Sequence, residues 1–214
     1  MLNLGSMRLP EPAVMGILNV TPDSFSDGGR YHSLDQAVIQ AETMAADGAA
    51  IIDIGGESTR PGSSGVSAQE ELDRVLPVIE AVRSATDVPI SIDTSKAEVM
   101  RAAVAAGAAM INDVYALRGD GAVGAAADLG VSVCLMHMQG KPRTMQESPV
   151  YDDVVAEVGA FLEERIEACI AAGVAAEAIA VDPGFGFGKT REHNIRLLAN
   201  LRQLRVRDRP VLVG

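Results

Sequence analysis

Polar side chains recur where the apolar runs of this chain stop. Asn19, Asp53 to Glu57, Asp93, Asn112-Asp113, His137 and Asp182 each stand at the end of a run that reads as a buried strand. An acid at a strand end followed by a glycine-rich turn is where an α/β protein places its chemistry. The fullest instance is Asp182-Pro183-Gly184-Phe185-Gly186-Phe187-Gly188-Lys189-Thr190. Its glycines allow close approach of backbone to a ligand, and its two phenylalanines offer flat apolar faces. The stretch ends in Gly-Lys-Thr, but a phosphate-cradling P-loop needs a glycine five residues before Gly188. Pro183 stands there, and Gly184 is one residue too close, so that loop type does not fit.

The residue types suggest a ligand. Asp93, Asn112 and Asp182 offer two carboxylates and one amide, which a flat heterocycle with amino and ring N–H groups along one edge would satisfy. Buried carboxylates need such partners. Arg60, with Ser58 and Thr59 in a glycine-flanked loop, suits a phosphate or carboxylate. Any one of the strand-end residues could merely cap the next helix, but recurrence over six strands points to a shared rim. His137 reads as a structural strand-end residue, and His32 and His193 as surface residues.

These residues must be positioned by the elements between them. The pattern predicts strands at 13–19, 50–54, 89–93, 109–112, 132–137 and about 178–182, with a seventh opening at 210–214. Their continuous apolar runs suit a parallel sheet covered on both faces. Helices are expected between them: one capped by Ser33 and stopped by Gly48, and one with a capping box of Ser67 and Glu70 that buries Leu72, Val75, Leu76, Ile79 and Val82. Others should stop at Gly107, Gly130 and Gly173, and the last should run over about 192–205. Six strand–helix units plus a seventh strand is the rhythm of a TIM-type (β/α)8 barrel. Residues 1–12 read as a loose arm, and 13–214 as the barrel domain. No segment supplies an eighth strand or the last helices. Long loops after the first, second and fifth strands are functional candidates.

Composition narrows the partners. The chain has 214 residues, 48% of them apolar, and a net charge of −11. That charge argues against a nucleic-acid partner, whose backbone demands a basic face. Cys134 and Cys169 sit on apolar patterns without metal-ligand spacing, as in a cytosolic protein with reduced thiols. No apolar run reaches the ~18 residues of a membrane span, and the N-terminus lacks a secretory pattern.

Six segments together resemble the dihydropteroate synthase family of pterin-binding enzymes. They are MGILNVTPDSFSDGG at 15–29, IDIGGESTRPG at 52–62, SIDTS at 91–95, INDV at 111–114, LMHMQG at 135–140 and DPGFGFGK at 182–189. The resemblance implies a cytoplasmic transferase on a (β/α)8 barrel that joins 6-hydroxymethyl-7,8-dihydropterin diphosphate to p-aminobenzoate. It would release dihydropteroate and diphosphate with the help of Mg2+, and sulfonamides would compete for the site. By motif, Asp93, Asn112 and Asp182 would hold the pterin edge, with Met136, Gly186 and Phe187 lining the slot. Asn19 would hold Mg2+ with the diphosphate, near Thr59 and Arg60. Phe25, Thr59 and Pro61 would close the p-aminobenzoate site. Asp93 and Arg60 would carry the catalysis.

The resemblance also implies a Ser-Arg-Lys segment, a further helix, an eighth strand with an Arg-x-His motif and a homodimer surface beyond residue 214. The expectation is therefore a barrel incomplete at its C-terminus and short of full activity as written. Two alternatives are a non-catalytic pterin-binding remnant and a methyltetrahydrofolate-type methyltransferase with a similar pocket. The roles of Asp53 and Glu57 stay open.

Overall fold

The expected loose arm is a hairpin. In a computed structural model that describes residues 2–20, 29–58, 65–142 and 144–214, strand β1 (Leu2–Leu4) pairs antiparallel with β2 (Met7–Leu9). Sequence reading missed it because two three-residue strands carry too little periodicity to register. Leu4, Met7 and Leu9 are buried, and Ser132 Oγ donates to the Leu4 carbonyl at 2.9 Å.

The six expected barrel strands follow: β3 (Met15–Asn19), β4 (Ile51–Gly55), β5 (Ile90–Asp93), β6 (Met110–Asp113), β7 (Ser132–Met136) and β8 (Ile179–Asp182). They form one parallel sheet in sequential order. Helices α1 (Gly29–Ala46), α2 (Ala68–Ala85), α3 (Ala97–Ala106), α4 (Ala122–Leu129) and α5 (Val154–Ala171) make the crossovers, and α6 (Arg191–Ala199) follows β8. This is the helix-wrapped architecture of a TIM-type barrel, seen over six strands. The expected seventh strand is a single parallel bridge between Val211 and Val181.

Period-two alternation sorts the strand residues between two cores. Leu18, Ile52, Ile54, Ile92, Ile111, Leu135 and Val181 face the helices, in one cluster with Val75, Ile79 and Leu162. Ile51, Met110, Cys134 and Ala180 face the other way and pack with Leu4, Met7 and Leu9. The hairpin thus plugs the N-terminal mouth of the sheet. One or two steps further along that inner face come Asp53, Gly55, Asp93, Asn112, Met136 and Asp182, at the C-terminal rim.

Local signals set most helix ends. Ser67 caps α2 by accepting from the Glu70 N–H. Gly107 and Gly130 take the left-handed conformation that stops α3 and α4. Other expectations shift. Helix α1 begins at Gly29, ahead of Ser33. On α2 the buried positions are Glu71, Val75, Val78, Ile79 and Val82, while Leu72 and Leu76 are only half-buried. Helix α6 ends at Ala199, short of 205.

Candidate active site

Strand register gathers the rim. Asp93 is the register partner of Gly55 on one side and Asn112 on the other. Asp182 is the partner of Met136. The Asn112 amide donates to Asp53 Oδ2 at 3.0 Å across the inner face. Cys134, partner of Asn112 on the next strand, lies among these groups. Its thiol is pushed well above the ordinary value, first by burial and then by the charges of Asp182, Asp53 and Asp93. Asp93, Asn112 and Asp182, expected to share one ligand, therefore surround one stretch of the inner face.

Asp53, Asp113 and Asp182 are buried at the rim, and Asp93 is half-buried. Burial raises the Asp93 carboxyl well above the carboxylate range, and the negative charges of Asp53, Asp113, Glu71 and Glu57 raise it further. Burial also raises Asp53, partly offset by the nearby Ser91 hydroxyl and by the hydrogen bond from Asn112. Asp182 rises to about 6 through burial, partly offset by the Gly184 N–H at 2.7 Å and by the Lys189 charge. Asp113 also rises to about 6 by burial. Its role is local, since its oxygens accept from the Tyr115 and Leu117 N–H groups. Desolvated acceptors of this kind are satisfied by a ligand rich in N–H donors.

The loop after β8 lies flush on the end of β7. Gly184 has φ +68°, and a Cβ there would meet the His137 carbonyl oxygen at 2.0 Å. Gly188 has φ +63°, with Gln139 O 2.5 Å from its would-be Cβ. Both positions require glycine. The loop carbonyls are held from outside: Gln146 donates to Gly186 O, Tyr151 to Gly188 O at 2.8 Å and Lys189 to Phe187 O at 2.9 Å. Asn194 receives the Gly186 N–H. Met136 and Phe187, two of the expected slot residues, belong to an apolar cluster with Val114, Met138, Met145 and Tyr115. That cluster is separate from both cores and could wall one side of a flat ring.

A second polar group lies under the loop that follows β4. Lys96 pairs with Glu57, and with Glu71 at 2.5 Å. Glu71 is fully buried on α2. Arg74 donates to Gly56 O at 2.8 Å. Thus Glu57, left open by sequence, anchors the exit of β4, and Asp53 orients Asn112. Phe25, Thr59, Arg60 and Pro61 lie outside the described residues.

Sequence reasoning missed Lys96, Lys189, Tyr151, Met138 and Met145. Lys96 has only its position after a strand end as a signal, and Lys189 shows only as part of its glycine-rich motif, because the partners of both are distant in the chain. His137 is buried just past the end of β7, where burial and then the Lys189 charge lower it to about 3.

Among the described residues no group of three acidic, histidine or cysteine side chains gathers as a metal site. A would-be Cβ on Gly55 would lie 3.4 Å from Asp93 Oδ2 and 3.8 Å from Asn19 Oδ1. Two hard oxygen donors therefore lie on either side of Gly55. A Mg2+ ion that keeps several waters and leans on a substrate's phosphates takes only one or two such ligands from the protein, and these donors are of that type.

The fold and rim define an α/β barrel whose C-terminal face carries carboxyl and amide groups near a separate apolar cluster. Comparison with known proteins gives the family. The model described as "Pterin binding enzyme" matches residues 15–214. Dihydropteroate synthase of Escherichia coli (strain K12) is 56% identical over 209 residues, 98% of this chain and 74% of that protein. The structure of the Yersinia pestis dihydropteroate synthase with a sulfonamide drug superimposes with TM-score 0.92 at 53% identity, covering 100% of this chain and 78% of that one. The Xanthomonas albilineans dihydropteroate synthase solved with 4-aminobenzoic acid gives 0.88 at 56% identity, covering 94% and 72%. The same enzyme with 7,8-dihydropteroate gives 0.85 at 51%, covering 97% and 74%. The chain belongs to the dihydropteroate synthase family of pterin-binding enzymes, which are transferases.

Proposed function

We propose that the chain carries the pterin half, and part of the amine half, of a site that condenses 6-hydroxymethyl-7,8-dihydropterin diphosphate with p-aminobenzoate. The supporting observation is the convergence of Asp93, Asn112 and Asp182 on one desolvated stretch beside Met136 and Phe187. A pterin presents amino and ring N–H donors along one edge, which matches acceptors held away from water. The relatives solved with 4-aminobenzoic acid and 7,8-dihydropteroate favour the same pair of substrates.

The chemistry is a displacement at the exocyclic methylene. The C–O bond to diphosphate breaks and the leaving group takes the electron pair. The aryl amine then forms the C–N bond and gives up a proton. A bound donor-rich pterin favours the ionised form of the raised Asp93 carboxyl, whose charge then stabilises the charge that develops on the ring. An aryl amine is already nucleophilic, so no strong base is required. The loops carrying Phe25, Thr59, Arg60 and Pro61 are assigned the amine site and the diphosphate by family motif. Asn19 would hold Mg2+ together with the diphosphate. When bound, the ion supplies charge neutralisation of the leaving diphosphate.

We extend the same reading to sulfonamides as competitors of p-aminobenzoate, to a cytoplasmic location and to a homodimer. Among the described residues no helix is long and apolar enough to cross a membrane. Ile195 and Leu198, exposed on α6, offer apolar surface for a second copy. The deciding experiment is turnover of Asp93→Asn, which keeps shape but loses the charge. We expect a drop of about 100-fold or more, and near-wild-type turnover would sink the assignment.

A further inference from the structure

Lys189 is a buried cation with no role in the reaction just described. Its side chain is 3% exposed. Its Nζ lies 2.9 Å from Phe187 O, 3.2 Å from His137 O and 3.0 Å from His137 Nδ1. Two of these partners belong to the end of β7 and one to the loop after β8. We propose that Lys189 is a positioning residue that seats Phe187 and the Asp182 turn against β7, and so sets the depth and acceptor edge of the pterin slot.

Three observations carry this. First, the loop is already pressed on β7 at Gly184 and Gly188, where neither position has room for a Cβ. Lys189 is the buried polar fastening at that seam, and Gln146 and Tyr151 hold the same loop from its more exposed side. Second, burying a lysine is costly unless its polar atoms are all satisfied, and here each contact falls on an atom of the seam. An apolar side chain of similar length would fill the space without fixing either carbonyl. Third, the Lys189 and Asp182 charges act on one another, so the fastening is also coupled to a pocket acceptor. The Lys189 Nζ and His137 Nδ1 are in hydrogen-bond contact at 3.0 Å, and with the lysine as donor the ring proton sits on Nε2. Its ring is in turn packed edge-on to Phe161 at 4.9 Å. The lysine thus ties the slot to the α5 layer.

The inference rests on the pterin reading above, and the test separates the two. Binding of 6-hydroxymethyl-7,8-dihydropterin diphosphate is titrated calorimetrically, and steady-state KM values are taken for both substrates, on the full chain. Lys189→Met is expected to weaken pterin binding and raise its KM at least 10-fold, with the p-aminobenzoate KM within two-fold of wild type. His137→Leu should do the same. His137→Asn, whose side-chain oxygen can accept in place of Nδ1, should restore most of the loss. A Lys189→Met chain that binds pterin as wild type does would overturn the inference. So would equal losses for both substrates with no rescue by His137→Asn, because that is general loosening. A wild-type chain that binds pterin but forms no dihydropteroate sinks the transfer reading alone, and the Lys189→Met binding ratio still decides the inference. Absence of pterin binding by wild type overturns both.

Discussion

The Asn112 amide nitrogen donates to Asp53 Oδ2 at 3.0 Å, and this contact decides which end of the amide is offered to a ligand. With its nitrogen turned to Asp53, Asn112 directs its oxygen to the other side. The rim then becomes an uninterrupted set of acceptors, Asp93, Asn112 and Asp182, suited to a ligand edge made of donors. Asp53 thereby sets the polarity that Asn112 offers to the rim.

Asp53→Ala should therefore weaken pterin binding by about 1.5–3 kcal/mol, the range for a hydrogen bond to a charged group. Asp53→Asn, which can still accept from Asn112, should cost less than half of that. Calorimetric titration measures both, and equal losses for the two variants would rule out the orienting role.

Pterin binding should depend on pH through Asp182. Its folded pKa is raised to about 6, so the ligand-free protein is relatively stabilised below the ordinary pKa near 3.8 and loses that contribution as pH rises through about 6. A donor-rich ligand needs the ionised form. Through Asp182, affinity should fall about 10-fold per pH unit below 6. The raised Asp93 acts in the same direction and extends the rise in affinity to higher pH. Asp182→Asn should bind more weakly at pH 8 and show a flatter profile between pH 5 and 7. A flat wild-type profile would exclude ionised acid as the acceptor.

Gly184→Ala should damage the site, since its Cβ would sit 2.0 Å from the His137 carbonyl oxygen at a positive φ. Strain of at least 1–3 kcal/mol is expected at such a position, together with loss of pterin affinity. Gly124→Ala is the counter-case: it lies inside α4 with no atom within 4 Å of the added methyl. It should stabilise the chain by roughly 0.5–1 kcal/mol and leave binding unchanged. Urea unfolding and titration of the two variants test both statements.

The hairpin should contribute measurably to stability although it lies far from the rim. Leu4 is 2% exposed among Met7, Leu9, Ile51 and Met110. Leu4→Ala should cost about 2–4 kcal/mol in urea unfolding, as buried leucine truncations do. The pterin dissociation constant should stay within two-fold. A loss below 0.5 kcal/mol would mean the hairpin is not part of the cooperative unit.

Much of this molecule could be read along the chain. Apolar runs of four to six residues ending in Asn19, Asp93, Asn112 and Asp182 gave both the strands and the rim. Glycines at 107 and 130 gave helix ends, because only local backbone sterics decide such positions. Composition and charge removed nucleic acid from consideration. What the tertiary structure alone decided are the pairings between residues far apart in the chain. Lys189 meets His137 across 52 positions, Lys96 meets Glu57 and Glu71, and Asp53 turns Asn112. A lysine near a strand end looks the same in sequence whether it is solvated or buried against two carbonyls. The hairpin escaped for a related reason. Its strands have no period long enough to detect, and their burial comes from the floor of the barrel, which exists only once distant strands have assembled beside one another.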